Sequence, residues 1–240
     1  MKKKISKYIS LLALLMSSFI FCYGTAYAQE QKPKNDKETL KKEYAKTPFY
    51  QGSSVGVEVA GVIGHALGSD PISSEVLLQC NLKNRFMPAL EIGYAKMDVT
   101  NDDSEMHYNT SAPYFRVGMD YNVFYLKPYL PGYLYVGLRY GFSSFSYDVN
   151  GPDMKDPNYG DITIPYSYTG IKSKAQWAEL VIGIKVKIFK GFCMGWSVRY
   201  KKRVSAENGE NTEPWYIPGY GENNTSNFNL NYNLIYNLPF

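Results

Sequence analysis

The chain has 240 residues and a net charge of +4, and four of its lysines lie within the first seven residues, which leaves the rest of the chain close to neutral. A near-neutral chain offers no basic face to a phosphate backbone, so we expect no nucleic-acid partner. Three cysteines are too few for a disulfide-built fold. Two histidines leave few candidates for histidine-based chemistry.

The first 28 residues have the layout of a secretory signal peptide. A cluster of lysines precedes an apolar run from Ile9 to Tyr23, and the small-residue motif Ala26-Tyr27-Ala28 follows it. This pattern predicts a signal peptide over residues 1–28, with cleavage near Ala28-Gln29. A lipoprotein signal ending at Cys22 is disfavoured because the large Phe21 precedes the cysteine, and a retained membrane helix would be too short.

The segment after the signal is rich in charged residues and has no apolar stripe. We predict that residues 29–48 form a charged periplasmic tether, with a short helix around Leu40–Ala45. The rest of the chain shows no internal repeat beyond the period of a strand. Residues 49–240 are therefore predicted to form one domain.

Apolar residues then occupy every second position in eight stretches, which is the pattern of strands with one apolar face. The stretches are Val55–Ile63, Ile72–Leu82, Leu90–Tyr94, Phe115–Val123, Leu134–Phe142, Leu180–Ile188, Phe192–Tyr200 and Phe228–Phe240. Together with its flanking residues, each can supply the roughly 9–11 residues that a tilted strand needs to cross a bilayer. Their tyrosine-rich and β-branched composition also favours strands over helices.

The connections between these stretches alternate between short and long. Short links lie around residues 84–85, 126–132 and 189–191, and longer ones at 64–71, 100–110, 148–173 and 204–225. Short periplasmic turns and long external loops are typical of transmembrane barrels. We predict an all-β, eight-stranded antiparallel transmembrane up-and-down β-barrel, which excludes a general porin because porins need about 16 strands.

The last stretch is typical of the outer membrane of Gram-negative bacteria. Apolar residues occupy every second position from Phe228 to Phe240, and four of the six residues between them are asparagines. This length is greater than that of the usual strand of about 5–6 residues. A terminal strand of this kind resembles the one by which the barrel-assembly machinery recognises its clients. We therefore expect the barrel-assembly machinery and outer-membrane lipid as partners of this strand.

The alternation directs charged residues into the barrel. The predicted lumen network comprises Glu58, Glu75, Glu91, Arg116, Asp120, Arg139, Glu179, Lys185 and Arg199. The interior of an eight-stranded barrel is just wide enough for its side chains, and charges buried there must be paired. We interpret these residues as a salt-bridged network that fills the lumen and holds the barrel in shape, and a narrow ion path is the alternative.

Aromatic residues are concentrated in the two longest connections. The candidate contact surface comprises Tyr159, Tyr166, Tyr168, Trp215, Tyr216 and Tyr220. Aromatic side chains of this type often anchor protein interfaces. The two loops are predicted either to form a stiff external contact surface or to pack their rings among themselves and cap the barrel.

The chain offers little catalytic or metal-binding chemistry. It has no metal-ligand or nucleophile motif such as CxxC, HExxH or GxSxG. His65 and His107 are interpreted as solvated loop residues, and the acidic run Asn101–Glu105 lacks the spacing of a calcium-binding EF-hand loop. We expect no enzymatic activity, no cofactor and no metal ion.

The two cysteines beyond the signal are predicted to stay unpaired. Cys80 shares the outward phase of its strand, whereas Cys193 shares an inward phase, and the two strands are not neighbours in the predicted barrel. Their Cα atoms should therefore exceed the roughly 7 Å limit for a disulfide bond.

Three segments carry a resemblance to a known family. They are Ser111–Asn122 (SAPYFRVGMDYN), Tyr129–Phe145 (YLPGYLYVGLRYGFSSF) and Glu213–Gly219 (EPWYIPG). They resemble an outer-membrane barrel family of Bacteroides-type bacteria that is catalogued as a domain of unknown function. The resemblance runs from about Phe49 to Phe240, implies a barrel and carries over no catalytic residue. In layout the chain is similar to the small OmpA/OmpX-like barrels.

These observations favour a small outer-membrane barrel with a filled lumen. We expect it to act as a structural or surface-interaction protein through its external loops, with a surface partner that the sequence does not identify. A small-molecule binder or a narrow channel is the main alternative. An enzyme that modifies lipid A is a further alternative.

Overall fold

A computed structural model describes residues 37–155, 163–209 and 212–239. The predicted signal peptide, residues 29–36 of the predicted tether and Phe240 lie outside this range. The chain divides into two compact units, residues 1–47 and 48–240. In the first unit, helix α1 (Lys37–Ala45) contains the stretch where a short helix is predicted. Within the described residues, no helix is both long and apolar enough to cross a bilayer.

The second unit is built from strands and one short helix. In chain order the elements are β1 (Tyr50–Glu58), α2 (Ala60–Ala66), β2 (Ile72–Leu82), β3 (Phe86–Asn101), β4 (Met106–Asn122), β5 (Gly132–Asn150), β6 (Met154–Lys155), β7 (Thr163–Ile164), β8 (Ser167–Phe189), β9 (Phe192–Ala206), β10 (Tyr216–Ile217), β11 (Gly221–Glu222) and β12 (Ser226–Asn237). Four of the strands form two small separate hairpins, β6 with β7 and β10 with β11.

The other eight strands close into a barrel in the order β1-β12-β9-β8-β5-β4-β3-β2. Every neighbouring pair is antiparallel. Because barrel strands that follow one another along the chain are also neighbours in the sheet, the topology is up-and-down. The predicted all-β, eight-stranded antiparallel barrel is confirmed.

The barrel has two different ends. The turn end carries the connections at residues 83–85, 123–131 and 190–191, and the loop end carries those at 59–71, 102–105, 151–166 and 207–225. Several strands extend further toward the loop end than predicted. Strand β5 continues to Asn150 and β8 begins at Ser167, so much of the predicted 148–173 loop is strand.

The extra strand length was missed because the polarity of the strands inverts toward the loop end. In β5, Leu138 and Phe142 point outward and are exposed, but further along the strand Phe145, Tyr147 and Val149 point inward and are buried. The outward positions there are polar, such as Ser144 and Ser146. An apolar residue at every second position therefore continues in β5, but on the opposite face of the sheet.

The bounds of the first strand also differ from the prediction. Val55–Ile63 was predicted as a strand, but β1 ends at Glu58 and helix α2 follows. The Glu58 carboxylate accepts hydrogen bonds from the backbone N–H groups of Ala60 at 2.7 Å and Gly61 at 3.3 Å. These bonds satisfy N–H groups at the start of the helix, and they turn the chain out of the sheet.

The barrel seam between β1 and β12 is short. The ladder between these two strands covers Ser54–Glu58 of β1, with one further backbone hydrogen bond beyond each end, whereas β5 and β8 pair from Gly132 to Asn150 of β5. The shortness follows from the early end of β1, because α2 replaces the strand that the alternation predicts. The seam nevertheless closes the ring.

Candidate functional site

The interior of the barrel is filled by side chains. All nine charged residues of the predicted lumen network are buried: Glu58, Glu75, Glu91, Arg116, Asp120, Arg139, Glu179, Lys185 and Arg199. We name seven of them the ionic layer: Glu75, Glu91, Arg116, Asp120, Arg139, Glu179 and Arg199. Strand alternation is sufficient to place them, because inward positions on neighbouring strands come into register around the ring.

Glu91 lies at the centre of the ionic layer. Its carboxylate accepts from the guanidinium groups of three arginines, with N–O distances of 3.3 Å to Arg116, 3.0 Å to Arg139 and 2.6 Å to Arg199. Bonds between ionised groups are roughly twice as strong as neutral ones, and a buried carboxylate needs such partners. A single glutamate therefore connects strands β3, β4, β5 and β9.

Asp120 and two further glutamates complete the pairing of the arginines, and the Asp120 carboxylate accepts from Arg139 at 2.8 Å. Arg116 forms ion pairs with Glu75 and, at 2.8 Å, with Glu179. Arg199 reaches Glu75 at 3.1 Å and Glu179 at 3.4 Å. The indole N–H of Trp177 donates to Glu179 at 2.6 Å, which connects the ionic layer to the aromatic residues nearer the loop end.

Two residues of the predicted network, Lys185 and Glu58, are buried but form no ion pair with the ionic layer. Lys185 donates to the Ser54 hydroxyl at 3.3 Å and to the Gln79 side-chain oxygen at 3.5 Å, rather than to a carboxylate. The Glu58 carboxylate binds the backbone at the start of α2 instead of an arginine or lysine. Glu58 is thus buried as predicted, but its structural role is to end β1.

Toward the loop end the lumen holds a cluster of mainly aromatic and apolar side chains, which we name the aromatic cap. Its buried members are Ala95, Tyr108, Ala112, Tyr114, Phe145, Tyr147, Val149, Ala175, Trp177, Tyr216, Ile217 and Tyr220. Most come from the inward faces of β4, β5 and β8. The last three come from the connection between β9 and β12, which folds back into the barrel mouth.

We name residues 214–222 the plug. Its hairpin buries Tyr216, Ile217 and Tyr220, which are 7%, 0% and 1% exposed. The Tyr108 hydroxyl donates to the backbone oxygen of Tyr216 at 2.9 Å, and the ring of Tyr220 lies 5.8 Å from that of Trp177. Burial also raises the pKa of Tyr216 to about 12.

The plug is bonded to buried cations. The backbone oxygen of Gly219 accepts from Arg116 at 2.7 Å and from Lys201 at 2.8 Å, and Lys201 also reaches the oxygen of Tyr220 at 3.2 Å. Lys201 was not among the predicted network residues. It shares the inward phase of Arg199, so the alternation of β9 could have identified it.

The structure divides the residues of the predicted contact surface between the barrel mouth and its outside. Tyr216 and Tyr220 are buried because the plug enters the mouth and packs its rings on the barrel wall, so they belong to the cap. Trp215 is half-buried and stacks on Tyr108 with ring centroids 5.2 Å apart. Tyr166 and Tyr168 are half-buried and meet edge to face at 5.1 Å. Tyr159 lies outside the described residues.

An open cleft of about 900 Å³ lies beside the plug at the loop end. Two of the predicted contact residues, Tyr166 and Trp215, line it. The other lining residues are Met97, Asn208, Gly209, Thr212, Glu213, Pro214, Glu222, Asn223 and Asn224. The cleft has the size of a small-molecule pocket, although it is open to solvent.

The space left inside the lumen is small. A void of about 10 Å³ lies between Gln79, Tyr133, Lys185 and Ile235, next to the ionic layer. This volume is about that of one water molecule. The side chains therefore fill the barrel at this level.

The two histidines lie in different elements, and the two cysteines of the barrel are unpaired. His65 lies in α2 with its Nδ1 2.9 Å from the Ser69 oxygen, and His107 lies in β4 with its Nδ1 3.0 Å from the Thr100 hydroxyl. Cys80 is exposed and Cys193 is buried, and both are free, as predicted.

Comparison with known proteins identifies the family of the chain. A search of curated proteins gave no match. Among solved structures, neisserial surface protein A shares 12% identity with a TM-score of 0.42, covering 79% of this chain and 96% of its own. A major outer membrane protein from Thermus thermophilus shares 13% identity with a TM-score of 0.46, covering 78% and 98%. The family described as "Domain of unknown function (DUF6048)" matches residues 5–240, so the chain belongs to this family.

Proposed function

We propose that the protein is an integral outer-membrane barrel with a sealed lumen, which presents its loop end as a structural or surface-interaction protein and has no catalytic activity. The observation that carries this proposal is the inversion of polarity along continuous strands. In the half of the barrel nearer the turn end the outward residues are apolar, and the lumen holds the ionic layer and a small apolar cluster of Leu77, Ala89, Cys193 and Ile235. Near the loop end the outward residues are polar and the inward ones mainly aromatic. Such a barrel fits a lipid layer around one half and water around the other.

The apolar outer belt supports the membrane assignment. Each of the eight strands contributes exposed apolar residues to it, for example Val57, Val76, Leu90, Val117, Leu138, Ile182, Val198 and Leu230. A contiguous exposed apolar surface of this extent is rare on water-soluble monomers. Outer-membrane lipid is the partner that would cover it.

The last strand supports assembly from its C-terminal end. Its outward residues Phe228, Leu230 and Tyr236 are exposed, and Asn231 and Asn233 point into the lumen. An apolar outer face of this kind suits recognition by barrel-assembly machinery.

Two outward positions on one strand test the membrane assignment. Leu138 lies in the apolar belt, and Ser144 lies six residues further along the same face of β5. We expect Leu138→Arg to cost about 2–4 kcal/mol in the bilayer and to reduce insertion, because a charge then faces lipid. Ser144→Arg should insert normally. Heat-modifiable mobility on gels and co-flotation with phospholipid vesicles measure both, and equal insertion of the two variants would contradict the proposal.

The absence of catalysis is proposed from the surroundings of the two histidines. His65 and His107 lie in different elements and each bonds to a neighbour close in sequence. A narrow channel is disfavoured by the filled lumen. Incubation with purified lipid A and planar-bilayer conductance test these two alternatives, and a turnover or a steady current would contradict the proposal.

Binding of a small molecule is a second candidate function, and the external cleft favours it. The half-buried rings of Tyr166 and Trp215 and the polar side chains around them offer a ligand apolar and polar contacts beside the plug. A thermal-shift screen of small molecules should then reveal ligands whose stabilising effect disappears in Trp215→Ala. Hits that stabilise both forms equally would place binding elsewhere.

A further inference from the structure

Outside the buried interior, the charged residues are divided unevenly between the two ends of the barrel. The turn end carries Lys83, Arg85, Lys127, Lys187 and Lys190, which we name the basic rim. The described turn-end segments 49–53, 83–87, 121–133, 186–193 and 236–239 contain no Asp or Glu. At the loop end, acidic residues such as Asp102, Glu105, Glu213 and Glu222 outnumber the basic ones. The rim is therefore a surface of one sign.

Aromatic residues lie among the cations of the rim. Phe86, Phe124, Tyr129 and Phe189 are exposed there. The guanidinium group of Arg85 lies over three rings, those of Phe86, Tyr121 and Tyr125, at 5.1, 5.3 and 4.7 Å from their centroids. In transmembrane barrels, girdles of aromatic residues flank the apolar band at both membrane interfaces. The rim is thus placed at the depth of lipid headgroups.

Two of the lysines occupy unfavourable backbone conformations. Lys83 has φ of 51° and is followed by Asn84 at 53°, and Lys190 has φ of 35° and is followed by Gly191 at 86°. At such left-handed positions of a hairpin turn, Asn, Asp and Gly are strongly preferred over lysine. The formation of the turns does not explain lysine at these two positions. A positive charge at this end of the barrel is what the two lysines provide.

We propose that the basic rim binds the phosphate groups of anionic phospholipids in the leaflet at the turn end. Lysine and arginine at a membrane surface attract anionic lipid, and the attraction falls off within about 10 Å at moderate salt. The rim is continuous with the apolar belt, so the acyl chains of a bound lipid can cover the belt while its headgroup meets the cations. This inference rests on the proposed insertion of the barrel into a bilayer.

The experiment compares phosphatidylglycerol with phosphatidylcholine as probes. The full mature protein is reconstituted in vesicles of phosphatidylcholine alone or with about one third phosphatidylglycerol. The temperature at which heat-modifiable mobility is lost, and the number of lipids retained in native mass spectrometry, are measured at low and high salt. We expect a preference for phosphatidylglycerol that salt removes.

The decisive variant is Lys83→Asn combined with Lys190→Asn. Asparagine suits both left-handed positions, so the barrel in phosphatidylcholine should be at least as stable as the wild type. Its preference for phosphatidylglycerol should fall by roughly fivefold for each lysine removed. The matched control is Lys172→Asn with Lys202→Asn, which removes two exposed lysines near the loop end. The control should keep the preference.

The possible results separate the two proposals. Insertion into both vesicles without a lipid preference, or an equal loss of preference in the control, overturns the basic rim and leaves the membrane assignment standing. Failure of the wild type to insert into either vesicle overturns both. A loss confined to the Lys83 and Lys190 variant supports the rim as the lipid-binding surface.

Discussion

The two halves of the barrel are built with opposite polarity on the same strands. Near the turn end, β5 points Leu138 outward and Arg139 into the ionic layer. Near the loop end, it points Ser146 outward and Tyr147 into the aromatic cap. The sheet is continuous through the change, so hydrogen bonding in the ladder does not distinguish the halves. The two halves differ in the polarity of their outer faces, which are apolar in one half and polar in the other. The side chains that face the lumen change along the strands as well, from the ionic layer to the aromatic cap.

The two interiors are also stabilised in different ways. The ionic layer depends on mutual pairing of charges, because an isolated charge there would be strongly destabilising. The aromatic cap depends on apolar area removed from water and on close packing. Removal of one charged group from the ionic layer should therefore lower the free energy of unfolding more than truncation of one side chain in the aromatic cap.

The largest effect is expected at the centre of the ionic layer. Glu91→Gln removes the negative charge that three arginines share, and we expect the free energy of unfolding to fall by about 3–5 kcal/mol. Urea unfolding in detergent measures the change. Asp102→Asn, in an exposed turn of the loop end, serves as the control and should have little effect. Equal stability of the two variants would show that the arginines do not need this carboxylate.

The next largest effect is expected in the plug. Ile217 is fully buried in the aromatic cap, and Ile217→Ala should lower the free energy of unfolding by about 2–4 kcal/mol through lost burial and the cavity left behind. Val204→Ala, at an exposed position of β9, is the comparison. If Ile217→Ala costs no more than Val204→Ala, the plug does not contribute to the core.

High pH should affect the cap through Tyr216. Burial raises its pKa from about 10 to about 12, so its contribution to stability is complete below pH 10 and is lost as the pH rises toward 12, because only the unfolded state loses the proton in this range. The loss should reach about 2–3 kcal/mol. Tyr216→Phe should remove this part of the pH dependence. An unchanged profile in the variant would assign the titration to another group.

The smallest effect is expected at Lys185. Its ammonium group has only long contacts to Ser54 and Gln79, so the burial of its charge is poorly compensated. Lys185→Met should change the free energy of unfolding by less than about 1 kcal/mol, or raise it. A loss as large as that of Glu91→Gln would mean that Lys185 belongs to the ionic layer after all.

The half of the barrel near the turn end was largely predictable from the sequence. Its outward residues are apolar at every second position, and this alternation is a local property of each strand. The same alternation directs Glu91, Arg116 and Arg199 inward, which places the ionic layer without any knowledge of the loops. The one inward glutamate that differs is Glu58, because its carboxylate caps a helix.

The half near the loop end was less predictable for two reasons. The apolar face changes sides there, so a search for outward apolar residues ends each strand too early. The plug depends on contacts between residues far apart in the chain, such as Tyr108 with Tyr216, and no local pattern indicates that a polar, proline-containing connection folds inward. Only the aromatic content of residues 214–222 pointed to burial.

The short seam has a consequence for the order in which the barrel closes. Strands β1 and β12 are almost the whole domain apart in sequence, so their pairing closes the largest loop. The seam that forms is short, with a ladder over Ser54–Glu58 and one further backbone hydrogen bond beyond each end. The long hairpins, β3 with β4 and β5 with β8, join residues close in sequence and can form first. We therefore expect the seam to form last. Its backbone amides should be among the first in the barrel sheet to exchange with deuterium in the folded protein.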